Sequence, residues 1–283
     1  GVLLKQYGQG MAKDLFHMGY RGHEIIEQRV KQYNIDCDLK YGYMDAALKS
    51  RHLNTLDQWQ AELNDYGMGD YLRRVSAQDM PEVMATDAYK GGLINNRNGH
   101  LHPLNLCLGE ARAAAGLGVE FFEGTHATQI IHGDKPKVTT EQGRVTADFV
   151  VLAGNAYTRL EEKTLAGLVF PAGTYIIATE PLSEKEAAEI NPLDLAVCDM
   201  NNVLDYYRLS ADRRMLYGGR CNYSGRAPAD MKLSILPRMA KVFPQLAHKR
   251  IDYQWGGDIG IVVNRVPMIG RSSKNVFYSL GYS

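Results

Sequence analysis

The sequence predicts a mixed α/β (α+β) fold in which parallel-sheet segments alternate with antiparallel ones along the chain. Two observations lead to this prediction. Residues 100–160 and 265–283 contain short apolar runs, as the buried strands of a parallel sheet do. Residues 174–263 contain successive runs of β-forming residues, which is typical of an antiparallel sheet. We therefore expect two domains that are each assembled from alternating segments of the chain.

Composition and charge argue against several classes of function. Lys plus Arg and Asp plus Glu both number 32, so the formal net charge is zero, and no block of like charge stands out. This balance argues against nucleic acid or an anionic membrane surface as the partner. No apolar run approaches the roughly 18 residues of a membrane-spanning helix. The 4 cysteines are scattered without a CxxC pair, so we expect no disulfide framework, no zinc site and a cytoplasmic location.

The first part of the chain is predicted to be mainly helical. Apolar residues at helical spacing predict helices over residues 11–33 and 53–63. Residues 37–47, between these helices, are expected to be extended. The phrase "AQDMPEVM", residues 77–84, suggests a further short helix.

The middle of the chain gives the clearest pattern. Pro103 is expected in the first turn of a helix that ends at Gly116, followed by a strand over Val119–Glu123. Short strands joined by turns are expected between residues 126 and 143. Residues 148–158 are an apolar run ending in Ala-Gly, which predicts a buried strand in a parallel sheet.

The last part of the chain is expected to be rich in strands. A helix near residues 230–243 interrupts them, and Pro237 is expected to kink or break that helix. Residues 275–280 predict a short apolar strand close to the end of the chain. The antiparallel strands are expected in the phrases "TYIIATEPL", "VLDYYRLS", "RMLYGGR" and "RIDYQWGGDIGIVV".

Seven phrases carry a resemblance to a known family: "EIIEQRVKQYNIDCD", "GHLHPLNL", "ATQI", "VVLAGNAY", "LDYYRLSADRRMLYGG", "FPQL" and "PMIGR". Each phrase is weak alone, but in this order and spacing they resemble the D-amino-acid-oxidase-like FAD-dependent oxidoreductases. The resemblance implies a FAD-binding Rossmann-like domain interleaved with an antiparallel-sheet substrate domain. It places residues 1–35, 96–162 and 264–283 in the first domain, and residues 36–95 and 163–263 in the second.

Two motifs of that family are absent from the sequence. The family begins with a strand and a GxGxxG turn that holds the FAD pyrophosphate at a helix N-terminus, and "YGQGMAKD" is not such a turn. The family also continues beyond "GYS" into "GHG" and a helix. We therefore expect a truncated FAD-binding domain in a fragment that lacks about 80 to 130 residues in total.

The resemblance assigns seven residues to the FAD: Ala127, Ala153, Gly154, Asn155, Gly281, Tyr282 and Ser283. The strand end 153–155 would pass close to the FAD, where small residues let the backbone approach. The turn 281–283 would lie beneath the isoalloxazine ring, with its amides facing the pyrimidine end. The backbone of Ala127 would meet the adenine. The plainer alternatives are a common strand-to-loop connection, an edge strand and a disordered chain end.

Four residues are candidates for substrate contact by the same resemblance: His102, Tyr206, Arg208 and Trp255. Strand alternation puts Tyr206 and Arg208 on one face and Tyr207 on the other. Tyr206 falls where amino-acid-oxidising relatives place a Tyr against the substrate, or else on a solvated strand face. His102 is either a helix cap or a substrate contact. His100 and His102 lack the further ligands of a metal site, so no metal is expected.

Trp255 opens the phrase "WGGDIG", which is either part of the core or part of the substrate site. Amino-acid-oxidising relatives carry an Arg a few residues after this Trp, and that Arg binds the substrate carboxylate. In this chain Asp258 occupies that stretch, and no Arg follows before Arg265. An amine without an adjacent carboxylate therefore fits better than a simple α-amino acid.

The resemblance implies that the parent protein is a FAD-dependent oxidase of a small-molecule amine. It would oxidise an amine such as a γ-glutamylated polyamine to the imine and then the aldehyde, with oxygen as the acceptor. No acid–base residue is identified, because the FAD supplies the redox chemistry. Two alternatives stay open: an inactive fragment that binds no flavin, and a flavin dehydrogenase that uses another acceptor.

Overall fold

The computed structural model describes residues 2–158, 160, 165, 167–226 and 228–282. Its contacts divide the chain into two compact units. The first unit comprises Gly1–Glu120, Ile177–Gly218 and Leu236–Tyr253. The second unit comprises Phe121–Ile176, Gly219–Ile235 and Gln254–Ser283. These units describe packing, whereas the predicted domain boundaries concern which segments bind which ligand, so those boundaries stay a prediction.

The helices agree with most of the sequence-based expectations. The α-helices with described bounds are α1 (Val2–Gln32), α2 (Ser50–Asp65), α3 (Pro103–Gly116), α4 (Glu184–Ile190) and α5 (Met231–Val242). Helix α1 starts earlier than predicted and is interrupted at Gly8, whose φ of 76° is not helical. The short helix predicted near residue 80 is a 3-10 turn, Met80–Glu82. Within the described residues, no helix has the length and apolar character needed to cross a bilayer.

Helix α5 continues through Pro237, so of the kink or break expected there, the break does not occur. A proline inside a helix costs roughly 3 kcal/mol, because it lacks the N–H donor and its ring crowds the preceding turn. Ile235 and Met239 of the same helix are fully buried. Burying each such side chain contributes about 1.5–3 kcal/mol, which is enough to hold the helix in place.

The strands in the described part of the chain form three sheets. Their bounds are β1 (Lys40–Ala47), β2 (Leu72–Ser76), β3 (Gly91–His100), β4 (Ala127–Ile131), β5 (Lys137–Thr140), β6 (Arg144–Thr146), β7 (Val150–Leu152), β8 (Phe170–Thr179), β9 (Ala196–Asp199), β10 (Tyr206–Leu209), β11 (Met215–Asn222), β12 (Ile251–Ile261), β13 (Met268–Ser273) and β14 (Val276–Leu280). The sheets have the orders β12-β8-β11-β10-β9-β1-β3-β2, β13-β14-β7 and β4-β5-β6. The mixed α/β fold class is therefore confirmed.

The large sheet is mainly antiparallel, as the sequence predicts. Strand β10 pairs antiparallel with β9 and β11, and β3 pairs antiparallel with β1 and β2. Strands β1 and β9, in contrast, pair in parallel. In the first unit the side chains buried in and around this sheet include Met44, Leu56, Leu93, Tyr217 and Phe243.

The expectation of parallel strands in residues 100–160 and 265–283 is confirmed for one pair, β7 and β14, but it is wrong for β13, which pairs antiparallel with β14, and for β4 and β5, which pair antiparallel with each other. One strand of the parallel pair is also less buried than predicted. Strands β7 and β14 run parallel, with Val151 opposite Phe277. Val151 is 64% exposed, whereas Leu152, on the opposite face of the same strand, is 8% exposed. Only the other face of β7 packs on the core, where Leu152 meets Val276 and Leu280.

The strand predicted over Val119–Glu123 is not formed. The amides of Gly118 and Val119 instead return to carbonyls in the last turn of α3, and Gly118 has a φ of 93°. This cap directs the chain away from any strand pairing, and Phe122 is 66% exposed.

Helix α4 and strands β2, β3, β6 and β9 were not predicted. A signal for α4 was present, because Ser183 and Glu186 form a reciprocal capping box.

Candidate functional site

Asn155 links two of the segments that the resemblance assigns to the FAD. Its side-chain carbonyl Oδ1 accepts a hydrogen bond from the amide of Gly281 at 2.8 Å, and its Nδ2 donates to the carbonyl of Tyr282 at 2.9 Å. The hydroxyl of Tyr282 donates to the carbonyl of Ala153 at 2.5 Å. Ala153, Gly154, Asn155, Gly281 and Tyr282 form what we call the Asn155 cluster. Ser283 lies outside the described residues.

The topology of the second unit explains why these segments meet. Strands β7 and β14 are parallel neighbours, so their carboxyl ends lie at the same edge of the sheet. Asn155 begins a 3-10 turn, Asn155–Tyr157, with a φ of 46°. Asn tolerates this left-handed conformation better than most residues do. The turn directs the side-chain amide group of Asn155 back to the end of β14.

The two glycines of the cluster have packing reasons to be glycine. Gly281 has a φ of 78°, and a Cβ there would collide with Val262. A Cβ on Gly154 would lie 2.7 Å from Oγ1 of Thr158. Ala153 and Gly154 are exposed at the strand end, where neither has a side chain beyond Cβ. A flat ligand could therefore approach this backbone closely.

One detail of the expected flavin contact changes. The backbone amide of Gly281 already donates a hydrogen bond to Oδ1 of Asn155, so it is not free to donate to a flavin ring. Tyr282 provides the next amide along the turn. Ala127 is the first residue of β4 and lies opposite Thr140 of β5, in a different sheet from β7 and β14.

The predicted alternation along β10 is observed. Tyr207 and Leu209 are buried, whereas Tyr206 and Arg208 lie on the less buried face. The ring of Tyr206 lies over Gly218 on the neighbouring strand, so close that a Cβ at Gly218 would collide with the ring. Tyr206 is therefore packed on the sheet by its cross-strand neighbour.

The guanidinium of Arg208 binds backbone carbonyls. Its Nη1 donates to the carbonyl of Leu209 at 2.9 Å, and its Nη2 donates to the carbonyl of Leu101 at 3.0 Å. Burial lowers the pKa of this guanidinium. These contacts connect β10 to the segment before α3, which is a structural use of the side chain.

His102 caps helix α3, because its Nδ1 accepts a hydrogen bond from the amide of Asn105 at 3.2 Å. His100 is 8% exposed, and its Nε2 lies 2.9 Å from the carbonyl of Asp194. Burial lowers the pKa of His100. Within the described part of the chain, no group of His, Cys, Asp and Glu side chains is arranged to hold a metal ion.

Trp255 lies on β12 in the second unit and is 42% exposed, so it is not a core residue. The other three candidates for substrate contact, His102, Tyr206 and Arg208, belong to the first unit. The predicted substrate residues are therefore divided between the two units.

A cavity that the sequence did not reveal lies in the second unit beside the Asn155 cluster. Its volume is about 210 Å³, and its lining includes Tyr157, Tyr175, Arg226 and Asp258. Tyr157 ends the same turn that Asn155 begins, and its hydroxyl accepts a hydrogen bond from the amide of Asp258 at 2.8 Å. We call this space the Tyr157 cavity. The one signal for it in the sequence was the Asp at position 258, where the resemblance led us to look for an Arg.

Comparison with known proteins identifies the family. The family described as "FAD dependent oxidoreductase" matches residues 1–283. The chain belongs to this family. The chain is 41% identical over 283 residues to the gamma-glutamylputrescine oxidoreductase of Escherichia coli K12, covering 100% of this chain and 66% of that protein. It is 36% identical over 285 residues to a probable oxidoreductase OrdL of Haemophilus influenzae, covering 99% of this chain and 65% of that protein.

The chain thus spans slightly less than two thirds of the length of these relatives of the family. Solved structures of the same fold include a glycine oxidase from Geobacillus kaustophilus, with a TM-score of 0.80 and 18% sequence identity over 94% of this chain and 72% of that chain. An L-proline dehydrogenase from P. horikoshii also has a TM-score of 0.80, with 17% identity over 93% of this chain and 72% of that chain. At these identities the likeness concerns the fold.

Proposed function

We propose that the full-length protein is a FAD-dependent oxidase of a γ-glutamylated amine such as γ-glutamylputrescine. The observation that carries this proposal is the juxtaposition of the Asn155 cluster and the Tyr157 cavity on the single turn Asn155–Tyr157. The 41% identity to a gamma-glutamylputrescine oxidoreductase supports the choice of substrate class.

The residues of the Asn155 cluster fit one part of a flavin site. Ala153 and Gly154 offer exposed backbone without bulk, and Gly281 lacks the Cβ that would collide with Val262. We propose that Ala153, Gly154 and Tyr282 contact the FAD. Asn155 and Gly281 would act by holding the two strand ends together, and Ala127 and Ser283 keep the roles that the resemblance gives them.

Bound FAD supplies the redox chemistry, by accepting a hydride from the carbon that carries the amine. The chain contributes binding and orientation. Asn155 fixes the end of β14 against the end of β7, and Tyr157 fixes the backbone of Asp258 at the cavity wall. No acid–base side chain is required of the chain if the amine binds in its neutral form. Tyr206, Arg208, His102 and Trp255 stay candidates for contact with the remainder of the substrate.

The proposal extends to the electron acceptor and the compartment. We propose oxygen as the acceptor, and a dehydrogenase with another acceptor is the competing candidate. We also propose a cytoplasmic location, since Cys37, Cys107, Cys198 and Cys221 are all free thiols.

The full-length protein with its FAD is the material for the test. Anaerobic addition of γ-glutamylputrescine is expected to bleach the visible flavin absorbance, and air is expected to restore it with consumption of oxygen. Bleaching by no amine would contradict the proposed function. Bleaching that only an artificial dye reverses would favour a dehydrogenase. A yellow 283-residue chain would contradict the alternative that this segment alone binds no flavin.

A further inference from the structure

The Tyr157 cavity contains one positive and one negative side chain. Arg226 and Asp258 both line it, and both are exposed. Among the residues that the structure describes, neither side chain takes part in an ion pair. In contrast, Arg214 in the first unit is paired with Asp252 at 2.6 Å. Two unpaired opposite charges in one cavity are suited to a ligand that carries both charges.

The backbone on both sides of the cavity is held in place. The hydroxyl of Tyr157 binds the amide of Asp258, and a Cβ on Gly256 would lie 2.5 Å from the ring of Tyr175. In the segment that follows β11, the side-chain amide of Asn222 donates a hydrogen bond to the backbone carbonyl of Arg226. The two charges are therefore attached to ordered backbone, which lowers the entropy cost of binding.

We propose that the Tyr157 cavity binds a zwitterionic α-amino-acid head group, with its carboxylate on Arg226 and its ammonium on Asp258. This inference rests on the proposed function, because a γ-glutamylated amine carries such a head group at the end opposite its reactive amine. The guanidinium of Arg226 can bind a carboxylate through two parallel hydrogen bonds. Arg226 and Asp258 are thus specificity-determining residues.

The size and place of the cavity agree with a subsite for one end of the substrate. Its volume of about 210 Å³ is below the range of roughly 300–1,000 Å³ that complete ligand pockets occupy. The turn Asn155–Tyr157 joins it directly to the Asn155 cluster. A head group in the cavity would leave the rest of the molecule free to extend to the cluster.

The test measures binding of a probe that carries the head group but has no terminal amine, namely γ-glutamylbutylamide. Isothermal titration calorimetry with the full-length protein and its FAD gives the Kd. Arg226→Gln and Asp258→Asn are each expected to raise the Kd by about tenfold or more, because each removes a hydrogen-bonded charge pair. Arg144→Gln and Asp148→Asn, in the same unit and outside the cavity lining, are the matched controls and are expected to leave the Kd unchanged.

The outcomes separate this inference from the proposed function. Weaker binding in both cavity variants supports the head-group site, even if no amine is oxidised, in which case only the proposed function fails. Oxidation of γ-glutamylputrescine together with an unchanged Kd in both cavity variants would overturn the head-group site alone. No binding of the probe to the wild-type protein would also overturn it. Equal thermal unfolding midpoints of the variants and their controls show that folding does not explain the result.

Discussion

Arg208 in the first unit and Arg226 in the second show how differently the two units use a charged side chain. Arg208 is half-buried and donates to two backbone carbonyls. Arg226 is exposed at the wall of a cavity and takes part in no ion pair among the described residues. A resemblance in sequence pointed to Arg208 as a substrate contact, yet the surroundings of Arg226 are more suitable for a ligand. The donors of Arg208 have partners within the fold, whereas Arg226 has no ion-pair partner among the described residues, so substitution of each residue tests which of them serves a ligand.

The same contrast separates the carboxylates of the two units. In the first unit Asp205 is 6% exposed and accepts hydrogen bonds from Nε of Arg238 at 2.6 Å and from the hydroxyl of Tyr217 at 3.2 Å. Burial raises the pKa of Asp205, and Arg238 opposes this effect. The side chain of Asp258 in the second unit is exposed. Its backbone amide is held by a hydrogen bond to the hydroxyl of Tyr157. We therefore expect substitutions in the first unit to affect stability and those at the cavity to affect binding.

The largest effect is expected from Arg238→Ala. This change leaves the buried carboxylate of Asp205 without its charged partner, which typically costs about 3–5 kcal/mol. Urea unfolding followed by circular dichroism would measure the free energy of unfolding. Arg226→Ala is the control and is expected to change it by less than about 0.5 kcal/mol, as surface substitutions do. Equal destabilisation by both variants would remove the contrast between the units.

The second effect is a dependence of stability on pH at Asp45. Burial raises the pKa of this carboxyl to about 6, although the hydroxyl of Tyr43 donates to it at 3.3 Å. The folded state holds the proton of Asp45 more tightly than the unfolded state does. The protonated carboxyl therefore contributes to the free energy of unfolding below about pH 4, and this contribution is lost as pH rises through about 6. Asp45→Asn removes this loss.

Asp45→Asn is therefore expected to gain about 2–3 kcal/mol of stability over the wild type between pH 4 and pH 7.5, from about two pKa units at about 1.4 kcal/mol each. Unfolding of both proteins in urea at the two pH values measures this difference. The comparison at pH 4, where the wild-type carboxyl is neutral, serves as the internal control. A difference that is constant with pH would show that folding does not shift the pKa of Asp45, which would contradict the effect of burial.

The sequence predicted those helices and strands whose local residue preferences agree with the way they pack in the fold. Pro103 starts α3 as expected, and the periodic apolar residues of α1 and α2 gave both helices. Strand β3 was missed because "GGLINNRNGH" contains residues that disfavour strands. In the sheet those glycines have a purpose, since a Cβ on Gly99 would collide with the carbonyl of Lys40, and one on Gly92 with Met44. Close packing between strands outweighed intrinsic preference.

One part of the candidate site, the Asn155 cluster, was predictable from the sequence, and the other part, the Tyr157 cavity, was not. The meeting of Asn155 with Gly281 follows from two parallel strands whose ends carry small residues, and both strands were expected. The Tyr157 cavity was not predictable, because Tyr157, Tyr175, Arg226 and Asp258 come from four separate parts of the chain. Their proximity depends on the order of strands in the sheet, which local sequence patterns do not encode.

The third effect concerns the link within the Asn155 cluster. Gly281→Ala introduces a Cβ at a φ of 78° and against Val262, which together cost about 1–3 kcal/mol. The chain can relieve this strain by moving the end of β14 away from Asn155. Both the free energy of unfolding and the amount of FAD retained after gel filtration are expected to fall.

Gly143→Ala is the control for the glycine substitution. Gly143 lies in the same unit, has open space around it and is not among the residues with a positive φ. We expect it to change neither stability nor FAD content. If Gly281→Ala lowered stability but left the FAD content unchanged, the cluster would be a structural link only, and its proposed contact with the cofactor would be contradicted.

The smallest effect is expected at the N-terminus of α4 in the first unit, where an exposed charge is paired and its partners are known. Oγ of Ser183 accepts a hydrogen bond from the amide of Glu186 at 3.2 Å, and Nζ of Lys249 lies 2.6 Å from Oε1 of Glu186. The contact with Lys249 and the cap lower the pKa of Glu186 to about 2. Ser183→Ala is expected to cost about 1 kcal/mol at pH 7, and Ser183→Thr much less, because threonine keeps the capping oxygen. Urea unfolding of both variants measures the difference. If threonine were as costly as alanine, packing around Ser183 would explain the loss instead of the capping hydrogen bond.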